Sequence, residues 1–342
     1  MAQLLPEWAP QGSIQLCWPS QREYWGDQTE AAQATHCDII SHISQYQAVL
    51  LIHSPDCPSE AITQQLADAG AVLARITLVA QPNNDIWCRD YGPISAQADN
   101  GARELHDFVF TGWGGKFPAQ QDNAASALLA QRGHYAYPLR SHQLILEGGA
   151  IDYDGNGSLL TTQACLLNPN RNANWNTADY ETFFQQQFGI QQIHWLSQGY
   201  LAGDDTDSHV DMLARFAPSN DQGGIIIYQG CQDPADEHHQ ALNALRDELE
   251  TLRDCDGQAY QLVELPFPPA HYDDGERLPA SYANFLITNQ EVLVPAYGGA
   301  TDETARQRIA HCFPNRTAVS INCTPLIHQY GSLHCATMQI AQ

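Results

Sequence analysis

Cys335, close to the end of the chain, is the residue whose surroundings point most directly to chemistry. Three other segments carry polar groups that could serve it, namely Asp90, Glu147 and the pair His209 and Asp211. Together they offer one thiol, one imidazole and three carboxylates. This set suits covalent attack by a cysteine on the carbon of a guanidinium group.

A guanidinium group is planar and permanently charged, and attack on its carbon destroys the resonance. Carboxylates bind its nitrogens through charge-assisted, often bidentate hydrogen bonds, which predicts a binding role for Asp90, Glu147 and Asp211. The thiolate is the nucleophilic form of cysteine, and a nearby cation lowers the thiol pKa. We therefore expect Cys335 to form a covalent thiouronium adduct and His209 to transfer protons.

Each of these residues has an ordinary structural explanation when taken alone. A free cysteine usually behaves as a small buried hydrophobe. His209 could be a core or surface histidine, Asp90 could pair with Arg89, and Glu147 could close a strand. The prediction depends on the combination of groups, in this order and in these local contexts.

A metal site is the main chemical alternative. His209, Asp211 and Glu147 could be ligands of a divalent metal. The sequence contains no His-x-x-x-His or His-Glu-x-x-His spacing, and its 10 cysteines include no Cys-x-x-Cys pair. We therefore expect neither a metal nor another cofactor. Free thiols and the absence of a visible secretory signal favour a reduced, cytoplasmic protein.

The charge balance limits the partners. With 39 acidic and 15 basic residues, the 342-residue chain has a formal charge of −24, and 43% of its residues are hydrophobic. Nucleic acid and anionic membrane surfaces need basic residues, so neither is expected as a partner. A small cationic guanidine would be drawn to an acidic cleft. Lys116 is the only lysine.

Predicted helices and strands alternate along the chain, which favours an α/β architecture. The predicted helices cover residues 29–46, 59–70, 121–132, 176–188, 234–253 and 302–312. The predicted strands cover 48–52, 72–79, 144–146, 158–162, 192–196, 224–228, 261–265 and 317–321, with a hairpin between 285–287 and 292–294. No linker-like composition divides the chain, so we expect one domain over residues 1–342.

The chemical groups fall at strand ends and in loops, where functional residues usually lie. Glu147 is expected to end a strand, and the two glycines after it let the backbone approach a ligand closely. His209 and Asp211 are two residues apart, so in an extended segment they would face the same side.

The chain resembles the agmatine deiminase family, also called the bacterial-type peptidylarginine deiminase family. The resemblance runs from Glu7-Trp8 to Cys335 and rests on the segments 84–93, 112–117, 146–149, 162–172, 203–211, 281–285 and 334–335. It implies the pentein fold, a five-bladed α/β propeller of ββαβ modules around a central site. It also implies cofactor-free hydrolysis of a guanidine to a ureido group and ammonia. For agmatine the product is N-carbamoylputrescine, a precursor in polyamine (putrescine) biosynthesis.

Position by position, the resemblance implies a nucleophile at Cys335 and a general acid/base at His209. Glu147 matches the carboxylate paired with that histidine, and Asp90 and Asp211 match the guanidinium clamp. It further implies two aromatic residues that line the substrate channel, Trp87 and Trp113.

Four positions depart from residues that are frequent in the family, namely Cys88, Tyr91, Ser208 and Met338. None of them removes a catalytic group, but they leave the recognition of the substrate's distal end open. Free arginine would need a basic partner for its α-carboxylate. The acidic segment 203–207 favours agmatine, whose distal end is an amine.

Deimination of arginine, peptidyl-arginine or another guanidine is the alternative activity. A non-catalytic binding module on a pentein scaffold is a more distant alternative, because a fold does not fix an activity. The sequence leaves open whether the chain forms a homodimer.

Overall fold

The computed structural model describes residues 2–20 and 22–342, whose strands form five sheets of three or four strands and one two-stranded ribbon. The strands are β1 (Ala2–Leu4), β2 (Gln11–Cys17), β3 (Ala48–His53), β4 (Ile76–Ala80), β5 (Ile94–Ala98), β6 (Arg103–Val109), β7 (Leu139–Ile145), β8 (Ile151–Tyr153), β9 (Ser158–Thr162), β10 (Gln192–Leu196), β11 (Ala214–Asn220), β12 (Gly223–Gln229), β13 (Gln261–Leu265), β14 (Tyr272–Asp273), β15 (Glu276–Arg277), β16 (Leu286–Ile287), β17 (Glu291–Ala296), β18 (Thr317–Asn322) and β19 (Thr337–Ala341).

The α-helices connect these strands and differ widely in length. They are α1 (Arg22–Trp25), α2 (Thr29–Ser44), α3 (Ser59–Asp68), α4 (Cys88–Tyr91), α5 (Gly112–Gly115), α6 (Gln120–Asn123), α7 (Ala125–Gln131), α8 (Gln163–Leu166), α9 (Thr177–Phe188), α10 (His239–Leu249), α11 (Asp302–Cys312) and α12 (Thr324–Ile327).

One ββαβ unit recurs in each of the five larger sheets. Two antiparallel strands are followed by a helical connection and then by a strand that pairs in parallel with the second strand. The five triplets are β19-β2-β3, β5-β6-β7, β8-β9-β10, β11-β12-β13 and β16-β17-β18. A parallel neighbour requires such a crossover, which accounts for the alternation of helices and strands in the sequence.

The two ends of the chain meet in one of these units. Strand β19 pairs antiparallel with β2, and Thr337 lies opposite Leu16. Strand β2 therefore lies directly beside the strand that follows Cys335. Strands β1 and β4 extend two of the sheets at their edges.

The apolar strands form the core because sheets and helices cover both of their faces. Five of the six residues of β3 are buried, and the buried apolar side chains form one large and one smaller cluster. The α/β alternation predicted from the sequence is confirmed. So is the hairpin, in which Leu286 pairs with Leu293.

Several predicted boundaries were wrong. The helix expected over 234–253 covers only His239–Leu249. It starts late because Asp236 Oδ1 accepts a hydrogen bond from the backbone N–H of His238, which holds the preceding residues in a turn. The helix expected over 121–132 breaks at Ala124 into α6 and α7. The strand expected over 72–79 begins at Ile76, after a 3-10 turn at Leu73–Arg75.

Among the residues that the structure describes, no helix combines the length and the apolar character of a membrane-spanning segment.

Candidate active site

The thiol, imidazole and carboxylates predicted from the sequence lie on segments that connect different ββαβ units. Asp90 is in the short helix α4, and Glu147 follows β7. His209 precedes a 3-10 turn at Val210–Met212, and Cys335 precedes β19. All five groups are buried, and the structure brings them together.

Cys335 Sγ lies 3.3 Å from the Asn284 Nδ2 and 3.7 Å from Asp211 Oδ2. The Asn284 Oδ1 accepts hydrogen bonds from the backbone N–H groups of His334, at 2.9 Å, and Cys335, at 3.3 Å. These two bonds fix the amide so that its NH₂ group faces the sulfur. Burial raises the pKa of the Cys335 thiol well above its ordinary value, and the Asp211 and Asp90 carboxylates add to this effect.

The His209 ring lies between two carboxylates. Its Nε2 is 3.3 Å from Glu147 Oε2, and its Nδ1 is 3.6 Å from Asp90 Oδ1. Burial acts to lower the pKa of His209, but the Asp90 charge, together with Cys165 and Glu147, raises it well above its ordinary value. This environment favours the protonated imidazole, which is the form that can donate a proton.

Asp90 is held by two hydrogen bonds. Its Oδ1 accepts from the backbone N–H of Gly149 at 3.0 Å, and its Oδ2 accepts from Trp113 Nε1 at 2.9 Å. Burial nevertheless raises the pKa of Asp90, and the neighbouring Asp211 and Glu147 carboxylates act in the same direction.

Three buried polar atoms of the site have no hydrogen-bond partner in the structure. They are Glu147 Oε1, Asp211 Oδ1 and His209 Nδ1. An unpaired buried polar atom costs about 1–3 kcal/mol, so native proteins rarely keep one without a reason. A ligand that donates hydrogen bonds to both carboxylates would satisfy the two oxygens.

Gly149 lies where these groups converge. A Cβ atom at this position would lie 2.7 Å from His209 Nδ1, 2.8 Å from Asp90 Oδ1 and 3.1 Å from Asp211 Oδ2. Such distances are shorter than van der Waals contact, so only glycine fits. The backbone at Gly149 thus lies close to side chains of the site, and the close approach of this segment to a ligand stays a prediction.

Arg171 belongs to the site, although no role was predicted for it from the sequence. It is fully buried, and its Nε donates to Glu147 Oε2 at 2.7 Å while its Nη1 lies 2.6 Å from Asp207 Oδ2. Burial acts to raise the pKa of Glu147, but His209 and the Arg171 guanidinium lower it overall. The run Asn170-Arg171-Asn172 was a visible signal, but its partner lies 24 residues away.

Cys165 is a second thiol near the imidazole. Glu147, Cys165 and His209 offer ligand atoms that all lie within 4.8 Å of one another, the one such group among the described residues. The Glu147 oxygen in this group already accepts from the Arg171 guanidinium. A cation bound there would face a buried positive charge, so the donor set fits a metal poorly.

A pocket of about 490 Å³ reaches Cys335. Its lining is aromatic and acidic, and consists of Asp85, Trp87, Asp90, Trp113, Phe117, Asp205, Thr206, Met212, Gln329, Tyr330, Gly331 and Cys335. A larger hollow of about 600 Å³ includes Arg89 and Gly148 but neither the thiol nor the imidazole. The smaller pocket is therefore the one that connects with the predicted chemistry.

Two strained loops form walls of this pocket. Trp113 has φ 54°, and Asp207 and Ser208 have φ 67° and 66°. These values lie in the left-handed backbone region, which glycine adopts more easily than other residues. The Lys116 ammonium joins the two loops, since it contacts Asp207 Oδ1 at 2.8 Å and the Asp205 carbonyl. Strained residues of this kind cluster at functional sites.

The expected geometry around His209 was wrong in one respect. His209 and Asp211 do not lie on an extended segment, because residues 210–212 form a 3-10 turn. Both side chains reach the site through this turn, in which Leu213 N donates to the Val210 carbonyl at 2.9 Å.

Comparison with known proteins shows which family the chain belongs to. The profile of the family described as "Porphyromonas-type peptidyl-arginine deiminase" matches residues 3–341. The chain belongs to this family. A "Putative agmatine deiminase" of Pectobacterium atrosepticum is 32% identical over 360 residues, which cover 98% of this chain and 93% of that protein.

Solved structures agree across the whole chain. A "Putative Arginine Deiminase" from Porphyromonas gingivalis is 40% identical with a TM-score of 0.92, covering 100% of this chain and 99% of that one. An agmatine deiminase of C. jejuni with substrate bound is 33% identical with a TM-score of 0.90, covering 100% and 97%. The chain is thus a mixed α/β hydrolase that acts on C–N bonds of amidine groups.

Proposed function

We propose that the protein is an agmatine deiminase, which converts agmatine and water to N-carbamoylputrescine and ammonia with Cys335 as the nucleophile. The observation that carries this proposal is the set of unpaired atoms on Glu147, Asp211 and His209 next to the buried thiol. A planar cation with several N–H donors is the ligand class that two carboxylates of this kind select.

In the first half of the reaction, Asp90 and Asp211 hold the guanidinium so that its carbon faces Cys335 Sγ. The substrate's positive charge lowers the thiol pKa, and on binding the thiol releases its proton to the surrounding water. The thiolate then attacks the carbon, and a neutral tetrahedral adduct forms. His209 gives its proton to one –NH₂ group, which leaves as ammonia, and a thiouronium cation remains on the sulfur.

In the second half, neutral His209 takes a proton from a water molecule, and the resulting hydroxide attacks the thiouronium carbon. The C–S bond breaks, the ureido product forms after loss of a proton, and the Cys335 sulfur is restored. Glu147 keeps the imidazole oriented through both transfers, since it lies 3.3 Å from Nε2. No redox cofactor is needed, because no electron is transferred to or from the substrate.

The distal end of the pocket supports agmatine over free arginine. Asp85 and Asp205 line the pocket, whereas its lining includes no arginine or lysine. Burial raises the pKa of both carboxyl groups to about 7, so a bound ammonium group would favour their ionised form, whereas an α-carboxylate would oppose it. Trp87 and Trp113 supply apolar surface for the alkyl chain between the two ends.

The same proposal extends to the architecture and setting of the protein. The five ββαβ units close into a five-bladed pentein propeller around the site, and residues 1–342 form one catalytic domain. The enzyme works in the cytoplasm, as a step of polyamine (putrescine) biosynthesis. Its site is formed by segments from several units, which supports a closed arrangement.

A direct assay tests the proposed substrate. Purified protein is incubated separately with agmatine, free arginine and a peptidyl-arginine, and ammonia and ureido products are measured together. Agmatine is expected to give the highest kcat/KM. A higher value for arginine or for the peptide would replace agmatine as the substrate while leaving the deiminase chemistry intact. Absence of ammonia from all three would contradict the proposed function.

A further inference from the structure

A row of three side chains connects the N-terminal segment with the clamp beside Cys335; Asp211 and His334 are fully buried, and Glu7 is partly buried. His334 Nδ1 lies 2.8 Å from Asp211 Oδ2, and His334 Nε2 lies 2.8 Å from Glu7 Oε1. Each carboxylate can accept a hydrogen bond from the ring nitrogen that faces it. The ring of His334 therefore bridges two carboxylates.

We infer that Glu7 and His334 are positioning residues of the active site, which hold Asp211 ionised and aim its free oxygen at the substrate guanidinium. This inference rests on the proposed function. His334 occupies Asp211 Oδ2, while Asp211 Oδ1 remains buried and without a partner. Because His334 contacts only one of the two Asp211 oxygens, the other oxygen is left for the substrate. The same contact fixes the direction in which this free oxygen points.

Glu7 is itself fixed by several partners. Its Oε1 lies 3.0 Å from Arg89 Nη1, and its Oε2 contacts Arg215 Nη2 and accepts from Gln339 Nε2 at 3.0 Å. Two buried guanidinium groups thus hold a carboxylate that in turn holds His334. A residue near the start of the chain completes a site whose nucleophile lies at position 335.

The charges around Asp211 explain why the row is needed. Asp211 is faced by His334 and Cys335 of the C-terminal segment, by His209 and Arg215 of its own segment, and by Asp90 of α4. Burial acts to raise the pKa of Asp211, but the hydrogen bond and charge of His334 lower it below its ordinary value. Without His334, burial and the Asp90 charge would favour the protonated, neutral form.

Guanidinium binding depends on the protonation state of Asp211. This carboxylate binds a guanidinium only when ionised, and with Glu7 and His334 in place it stays ionised down to acidic pH. Removal of His334 raises the pKa of Asp211, so guanidinium binding weakens as the pH falls. A purely structural role of His334 would lower stability without producing this pH dependence of affinity.

The test measures agmatine affinity by calorimetry between about pH 8 and pH 5, in a Cys335→Ala background that cannot turn over substrate. We expect His334→Gln to weaken binding at pH 8 by roughly ten- to a hundredfold, as loss of a charge-assisted hydrogen bond does. Toward pH 5 we expect a further loss that is larger than the loss in the Cys335→Ala parent, where protonation of Asp90 also weakens binding because burial raises its pKa. Glu7→Gln should shift the affinity in the same direction by a smaller factor.

His36→Gln is the matched control, because His36 is equally buried but its Nδ1 contacts only the Ala32 carbonyl of helix α2. It should leave affinity and its pH dependence unchanged. If His334→Gln does not fold, Glu7→Gln carries the same test. Parent-like affinity at every pH in the folded variants would overturn the inference.

The outcome for the inference can be separated from the outcome for the proposed function. Failure of wild-type protein to release ammonia from any guanidine, and of Cys335→Ala to bind one, would contradict the proposed function itself. An active wild type with unaltered binding in the His334 and Glu7 variants would contradict the positioning role alone.

Discussion

Arg171 donates its Nε to Glu147 Oε2 over 2.7 Å, and both side chains are completely buried. The same Glu147 oxygen lies 3.3 Å from the imidazole of His209. A buried guanidinium of the protein therefore supports the histidine that is proposed to act on a substrate guanidinium. This support also keeps Glu147 ionised, because the Arg171 charge opposes the effect of burial on its pKa.

Replacement of this arginine should affect both stability and catalysis. Arg171→Gln leaves a buried carboxylate without its cation, so we expect the free energy of unfolding to fall by about 3–5 kcal/mol. We also expect kcat/KM to fall by at least roughly tenfold, because the Glu147 contact with His209 loses its orientation. Urea denaturation and steady-state kinetics measure the two effects.

Arg316→Gln is the control for that experiment. Arg316 is half-buried and donates to the backbone carbonyls of Thr288 and Trp8. Its loss should reduce stability with kcat/KM nearly unchanged. Equal kinetic losses in both variants would show that Arg171 has no specific link to the site.

Cys335→Ala should abolish turnover, because among the described residues Cys335 is the one cysteine that lines the pocket, and Cys165 lies outside that lining. The variant should still fold and bind agmatine, since the clamp carboxylates remain. Cys323→Ala removes an equally buried thiol outside the pocket and should retain activity. Ammonia release and calorimetric binding check these outcomes, and near wild-type turnover by Cys335→Ala would contradict covalent catalysis at this residue.

Gly149→Ala should disrupt the site without a backbone penalty, because Gly149 does not require a positive φ. The added methyl group would lie 2.7 Å from His209 Nδ1 and 2.8 Å from Asp90 Oδ1, so both side chains must move. We expect kcat/KM to fall by roughly a hundredfold, as misplacement of about 1 Å can cause.

Gly12→Ala is the matched control for Gly149→Ala, since the nearest atom to its added methyl group would be at 3.5 Å, an ordinary contact. Its activity should remain close to that of the wild type. An active Gly149→Ala variant would mean that the convergence of His209 and Asp90 at this glycine is unimportant for catalysis.

The clamp and the acid/base group should respond differently to substitution. Asp90→Asn and Asp211→Asn should each weaken agmatine binding roughly ten- to a hundredfold, because a charge-assisted pair contributes about 1.5–3 kcal/mol. His209→Asn should instead lower the rate of the chemical step by about 10²–10⁴-fold, with little change in the affinity for agmatine. Affinities are compared in a Cys335→Ala background, and rates in the wild-type background. Weaker binding in His209→Asn than in Asp90→Asn would reverse this division of roles.

Prolonged treatment with a strong chelator should leave activity unchanged. The proposed chemistry uses only a thiol, an imidazole and carboxylates, and the Glu147, Cys165 and His209 group faces the Arg171 cation. The measurement is ammonia release before and after dialysis against chelator. Activity that is lost and then restored by one divalent ion would contradict the proposed mechanism.

The sequence by itself determined the α/β class, the longer helices and many of the apolar strands, because hydrophobic runs and local propensities act over short distances. It also indicated Cys335, His209, Asp90, Glu147 and Asp211 as a set, since their residue types match one reaction. It predicted polar strands poorly. Strands β5 and β6 were missed because their side chains, such as Glu104 and His106, are buried only through tertiary contacts.

Only the tertiary structure decided how the site is supported. Arg171 meets Glu147, Asn284 meets Cys335, and Glu7 meets His334 across separations of 24, 51 and 327 residues. No local pattern encodes such pairs, because each depends on how loops from different ββαβ units converge. The chain order therefore identified groups that could react, while the packing of the units determined which oxygen atoms are already paired and which remain free for a substrate.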